Sequence, residues 1–264
     1  MYDFAYQKPA SIDAAAKLLG ADPEAKALAG GMTLIPVLKQ RLNRPSTLVD
    51  LGKTGMVGIT VGGDAVTIAA MTTHAAVAHS AELRAKIPGL ADLASWIGDD
   101  QVRHRGTIGG SLANNDPAAC YPAAALALNA TIKTNKREIK ADDFFQGMFA
   151  TALEQDELIT SVSFPVPQKS AYEKFRNPAS RYPIVGVFVA RFPTGVRLAI
   201  TGAGQNGVFR HHEMEQALSA NFSPDAIGKV TTPADGLNSD IHASAEYRAH
   251  LIGVMARRAV AKAA

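Results

Sequence analysis

Three glycine clusters carry the residue types that could hold a phosphate. The first is Ala29-Gly30-Gly31-Met32-Thr33-Leu34. Adjacent glycines tolerate positive φ and let a ligand approach the main chain closely. The amides and the Thr33 hydroxyl lead into a predicted helix, a setting that favours an anion. The second cluster, Thr107-Ile108-Gly109-Gly110-Ser111, repeats that chemistry: a hydroxyl, two glycines and another hydroxyl, with Asp116 a little further on. Two such turns in one chain suit a pyrophosphate gripped from two sides, while each alone reads equally as a tight turn without a ligand. The third cluster, Gly202-Ala203-Gly204-Gln205-Asn206-Gly207, is a formal GxGxxG match behind a strand-like run. A dinucleotide fold then needs a second strand ending in an acid about twenty residues later. Phe222-Ser223-Pro224-Asp225-Ala226 stands there instead, so the match fails.

Other candidates read as structure. Gly52-Lys53-Thr54 resembles the end of a P-loop, but Thr47 occupies the position of its first glycine. No HExxH or GxSxG motif occurs, and His211-His212-Glu213 with Glu215 reads as a helix-capping region. Arg103-His104-Arg105 is either an exposed charged loop or charge compensation for phosphates or an acidic partner. Neither a catalytic residue nor a metal ligand is assigned.

The elements that must position these turns follow from periodicity. Ser11 is a predicted N-cap, with Ile12, Ala15, Ala16, Leu18 and Leu19 at helical spacing and Gly20 as the stop. Short strands are predicted at 26–29 and 48–51 around a helix at 34–42. Glycines at 55, 58, 62 and 63 break the next stretch into hairpins. Residues 103–122 read as a long structured loop or loop–helix, and strands are expected at 131–134, 139, 157–164, 183–192 and 196–200. Pro165-Val166-Pro167-Gln168-Lys169-Ser170 is the predicted linker, and the last helix spans 244–263. The class is α+β.

Length and composition bound the function. The 264 residues are 47% hydrophobic and 19% charged, a globular and not a disordered composition. The net charge of +3 comes without a dense basic block, so a nucleic-acid role is excluded. The single cysteine, Cys120, cannot make an intrachain disulfide or hold an iron–sulfur cluster alone. No run of about 18 apolar residues exists to span a membrane. The first nine residues contain Asp3 and two tyrosines and no apolar stretch, so no secretory leader is expected and the cytoplasm is the expected location.

Taken together, Ala29-Gly-Gly-Met-Thr-Leu34 and Gln101-Val-Arg-His-Arg-Gly-Thr-Ile-Gly-Gly-Ser-Leu-Ala113 resemble the FAD-binding medium subunit of the molybdenum hydroxylases. That family includes the flavoprotein of aerobic carbon monoxide dehydrogenase and the flavin portion of xanthine dehydrogenase. Ala70-Met-Thr-Thr-His74, Asp116-Pro-Ala-Ala119, Pro122-Ala-Ala-Ala-Leu-Ala127 and Ser244-Ala-Glu-Tyr-Arg-Ala-His-Leu251 extend the resemblance over nearly the whole chain.

The resemblance implies an FAD-binding domain of the vanillyl-alcohol-oxidase (PCMH) type over 1–168, with subdomains at about 1–55 and 56–168. A small α+β domain, an antiparallel sheet with helices, would cover 169–264. It implies FAD on this chain, molybdenum–pterin on a large partner subunit and two [2Fe–2S] clusters on a small one, assembled as a dimer of heterotrimers. Electrons would pass from the clusters to FAD and on to NAD, a quinone or another acceptor. Residues 29–34 and 107–111 would hold the pyrophosphate from two sides. Ile97 would line the FAD site, Leu158 and Ile159 would lie near the adenine end, and Tyr182 would stand against the isoalloxazine ring. Three positions depart from the family pattern. Cys120 replaces an aspartate that binds FAD in some relatives, leaving Asp116 to take over or the contact absent. Ser111 replaces a common asparagine, and Pro183 lacks an N–H. Two alternatives stay open: a stand-alone flavin oxidoreductase, with His74 or Asp116 as its base, and an assembly subunit without FAD.

Overall fold

The computed structural model describes residues 1–263. It opens with β1 (Ala5–Gln7), α1 (Ile12–Ala21), β2 (Lys26–Leu28), α2 (Leu34–Lys39) and β3 (Thr47–Asp50). The Ser11 hydroxyl accepts the Ala14 N–H and starts α1 as its cap. The three strands form a parallel sheet in the order β1-β3-β2. Parallel pairing requires crossover connections, which α1 and α2 supply. All three strands therefore end at one edge, where Lys8, Asp50 and Leu28, the residue before the Ala29-Gly30 turn, come level: Gln7 pairs with Val49, and Leu28 with Asp50.

The middle of the chain holds β4 (Ile59–Val61), β5 (Ala65–Ala69), α3 (His74–His79), α4 (Ala81–Lys86), α5 (Pro88–Ser95), α6 (Asp100–Arg105), α7 (Ile108–Asn114) and α8 (Tyr121–Ala127). β6 (Thr131–Thr134), β7 (Glu138–Lys140), α9 (Ala141–Phe144), β8 (Phe145–Gly147), β9 (Ala150–Thr151) and β10 (Ile159–Pro165) follow. Five of these strands pair antiparallel in the order β4-β5-β10-β6-β7. Of the long loop or loop–helix expected over 103–122, the helical alternative holds: the stretch is the end of α6, all of α7 and the start of α8. Asp99 caps α6 through the Val102 N–H, and Thr107 caps α7 through the Gly110 N–H. Helices of six and seven residues are too short to show a 3.6-residue period.

The last third contains β11 (Lys169–Arg176), β12 (Pro183–Phe192), β13 (Gly195–Thr201), β14 (Phe209–Arg210), α10 (His212–Ala220) and α11 (Ala245–Ala263). Its four strands form an antiparallel sheet in sequence order. Alternation along these strands sends neighbouring side chains to opposite faces. Val187, Val189, Leu198 and Ile200 enter one core with α10 and α11, while Phe188, Ala190 and Ala199 enter the other with α8. Every residue of α8 is buried, as expected of a helix that is apolar all round. Among the described residues, no helix is long and apolar enough to cross a membrane.

Candidate functional site

The first glycine turn leaves β2 at the carboxyl edge of the parallel sheet. Gly31 takes φ +77°, which turns the chain sharply into α2. The amides of Gly30, Gly31, Met32, Thr33 and Leu34 meet no hydrogen-bond acceptor among the described residues. Thr33 precedes α2 without capping it, so its hydroxyl is also free. This run of unpaired backbone donors, half-buried at Gly30, Gly31 and Leu34 and exposed at Met32 and Thr33, is open to an acceptor from outside the chain. α2 has only six residues, so the donors are individual amides and not a helix dipole.

The second glycine turn lies directly against the first. A Cβ on Gly30 would stand 2.1 Å from the Arg105 carbonyl oxygen and 2.8 Å from Gly106 Cα. A Cβ on Gly110 would stand 3.3 Å from Ala29 Cβ and 2.9 Å from Thr107 Oγ1. Glycine is needed at Gly30 because two pieces of main chain touch, and at Gly110 because the Thr107 hydroxyl and the Ala29 methyl close in, which are different reasons from room for a ligand. The sequence expectation is corrected here in one respect. The amides of Ile108, Gly109, Gly110 and Ser111 donate to Thr72 O, Ala70 O, Thr107 Oγ1 and Thr107 O. These four are spent inside the chain, and of this cluster's amides the Thr107 N–H alone meets no acceptor among the described residues. Ser111 is half-buried and keeps its hydroxyl.

Beneath both turns sits His74. Its N–H donates to Gly106 O at 2.9 Å, and a Cβ on Gly106 would meet its Nε2 at 2.5 Å. The ring packs 5.3 Å from the Tyr121 ring. His74 Nδ1 and the Tyr121 hydroxyl are buried without partners among the described residues. Burial, and secondarily the Arg103 guanidinium, push the imidazole down to about 4. His74 is therefore neutral near pH 7 and enclosed, which removes it as the solvent-facing base of a stand-alone oxidoreductase.

Of the remaining expected residues, Ile97 is half-buried beside the same turn, and its carbonyl accepts from Arg103 Nη1 at 2.9 Å. Leu158 and Ile159 are buried at the start of β10. The next residue, Thr160, accepts the Ala70 N–H through its carbonyl, and Ala70 is the residue on which Gly109 packs. Asp116 folds back on its own loop, taking the Ala118 N–H at 2.8 Å. Tyr182, in the β11–β12 connection, lies near this loop: its phenol pKa is raised by burial first and then by the charges of Asp116 and Cys120.

Sequence reading missed Lys174. It lies on β11 and is only 5% exposed. Its Nζ donates to Trp96 O at 2.6 Å and Arg181 O at 2.9 Å, and stands 3.6 Å from Cys120 Sγ. One ammonium thus ties the α5–α6 connection, the loop before α8 and the β11–β12 hairpin together. An alternating strand gives no hint that a lysine on it is buried, because the acceptors come from distant segments. Among the described residues, no group of three or more His, Cys, Asp or Glu could hold a metal.

The donor set fits the diphosphate of FAD: five adjacent free amides and the Thr33 hydroxyl. Comparison with known proteins agrees. Residues 2–167 match a family described as the FAD binding domain in molybdopterin dehydrogenase. The chain is 36% identical to the nicotine 6-hydroxylase medium subunit of Paenarthrobacter nicotinovorans, covering 98% of this chain and 96% of that one. It is 35% identical to the carbon monoxide dehydrogenase medium chain of Afipia carboxidovorans, with the same coverage. A chain of reconstituted CO dehydrogenase from Oligotropha carboxidovorans superposes with a TM-score of 0.90 at 35% identity, over 99% of this chain and 98% of that one.

Two predictions follow from the geometry. The His74 imidazole is depressed from 6.5 to about 4 in the folded chain. The folded state then binds fewer protons than the unfolded one between those values, so stability falls as pH drops from 6.5 to 4. The displacement corresponds to about 3 kcal/mol. Urea unfolding of His74→Leu should lose most of that pH dependence; an unchanged slope would contradict the placement. Secondly, Gly110→Val should pry the two turns apart and weaken FAD binding about tenfold or more. Unaltered flavin affinity in a titration would remove the turn–turn contact from the site.

Proposed function

The chain belongs to the family of FAD-binding medium subunits of molybdenum hydroxylases, and on that footing we propose how it works within its complex. It is an oxidoreductase subunit that binds FAD, receives electrons from the [2Fe–2S] clusters of a partner and hands them to an external acceptor. When bound, FAD supplies the exchange between one-electron and two-electron carriers. The chain's own work is to bind, orient and enclose it. Residues 29–34 take the diphosphate through main-chain N–H groups and the Thr33 hydroxyl. Residues 107–111 support them from behind, with the Ser111 hydroxyl and the Thr107 N–H as the polar groups they leave free. Ile97, Leu158 and Ile159 give apolar contacts, and Tyr182 and Asp116 flank the seam with the last third of the chain.

The proposed assembly is a dimer of heterotrimers, with a large molybdenum–pterin subunit and a small iron–sulfur subunit, in the cytoplasm. The single cysteine, buried beside Lys174, supports placing both clusters elsewhere. Residues 1–168 are proposed as the FAD domain, with subdomains meeting near residue 55, and 169–264 as the second domain. The parallel and antiparallel sheets on either side of residue 55 and the separate core around α11 support that division.

The observation that carries the reading is the run of free amides from Gly30 to Leu34. An assembly subunit without FAD would leave these donors unsatisfied. The test is the visible spectrum of the purified full chain before and after adding FAD. Bands near about 370 and 450 nm that survive desalting are expected. A chain that stays colourless with excess FAD would overturn the reading.

A further inference from the structure

Three basic residues end α6, and they have different fates. Arg103 is bound to Ile97 O, Gly98 O and the Asp100 carboxylate. His104 Nδ1 lies 2.7 Å from Asp100 O. Arg105 is exposed, and its guanidinium has no hydrogen-bond or ion-pair partner among the described residues. Its main chain lies against the first glycine turn, because its carbonyl is what Gly30 packs against. A free cation is thus anchored at the glycine turn.

A second cation reaches the same place from the other side. Lys8 follows β1, and the parallel register puts it level with Asp50 and Leu28, the residue before the first glycine turn. Two strand spacings, about 10 Å, separate β1 from β2 at this edge. Lys8 Nζ sits 3.1 Å from Asp50 Oδ2, whose carboxylate also takes the Tyr6 hydroxyl and the Gly52 N–H. Asp50 raises the Lys8 ammonium above its ordinary value, while the nearby Arg105 charge works against it. Two like charges therefore share one edge, with Asp50, engaged by three donors, on the strand between Lys8 and the first glycine turn.

We propose that Arg105 and Lys8 form a cationic clamp on the diphosphate held by the Gly30 to Leu34 amides, with Asp50 and Tyr6 positioning Lys8. The inference rests on the FAD reading and adds to it the residues that neutralise the ligand's charge. A planar guanidinium matches two phosphate oxygens at once, and an ammonium held by a carboxylate supplies a point charge. The clamp also explains why like charges are tolerated together: a dianion between them removes the repulsion.

The test uses the full chain stripped of flavin and titrated with FAD at about 10 mM and about 150 mM salt, where screening lengths differ several-fold. Wild type should bind more weakly at the higher salt. Arg105→Gln should weaken binding about tenfold or more at low salt and flatten the salt dependence. Lys8→Gln should act in the same direction by a smaller factor, and Arg105→Lys should restore most of the affinity. Thermal unfolding of each variant without ligand should match wild type, since both side chains are on the surface. Wild-type FAD affinity and an unchanged salt slope in Arg105→Gln and Lys8→Gln would overturn the clamp while leaving the FAD reading intact. Failure of wild type itself to bind FAD would overturn that reading instead.

Discussion

The site depends on one contact, the approach of Gly30 to the carbonyl of Arg105. No side chain fits there: a Cβ would stand 2.1 Å from that oxygen. The contact joins two pieces of chain more than seventy residues apart. One is the turn at the edge of the parallel sheet, with its free amides. The other is the junction of α6 and α7, whose amides from Ile108 to Ser111 are engaged within the chain. Their roles are unequal. The first turn offers donors, and the second is a rigid buttress fixed by bonds to Ala70, Thr72 and His74. His74 completes the buttress by filling the space under Gly106 as a neutral ring.

A second seam joins the last third of the chain to this buttress. Thr201 Oγ1 donates to the carbonyls of Pro117 and Ala119, and the Gly202 N–H to Pro117. Lys174 binds two carbonyls from opposite sides of the seam and lies beside Cys120. A buried ammonium is costly unless its donors are satisfied, so its position fixes all three segments together. Arg197 adds a bond from β13 to Leu126 O at the end of α8. The loop that carries Asp116 is held at both ends, and it is the loop that Tyr182 meets.

Much of this was legible in the sequence. The Ser11 cap, the two glycine turns, the apolar run of β12 and the long terminal helix follow from capping, spacing and hydropathy. What was not legible depends on distant partners. Nothing in Thr107-Ile-Gly-Gly-Ser111 says that its amides turn inward, because their acceptors, Ala70 and Thr72, lie in another segment. The short helices α6 and α7 sit in glycine-rich sequence and are stabilised by caps and packing more than by pattern. His74 looked available for proton transfer, and only burial shows that it is enclosed. Lys174 on a strand looks like a solvated residue until the carbonyls of Trp96 and Arg181 are brought to it.

The central claim is that the free amides from Gly30 to Leu34 are the diphosphate donors. Hydrogen–deuterium exchange of the full chain, with and without FAD, tests it residue by residue. Rapid exchange at these amides without ligand and strong protection with FAD are predicted, with little change at Ile108 to Ser111, already bonded within the chain. Tight flavin binding without added protection at 30–34 would contradict the account.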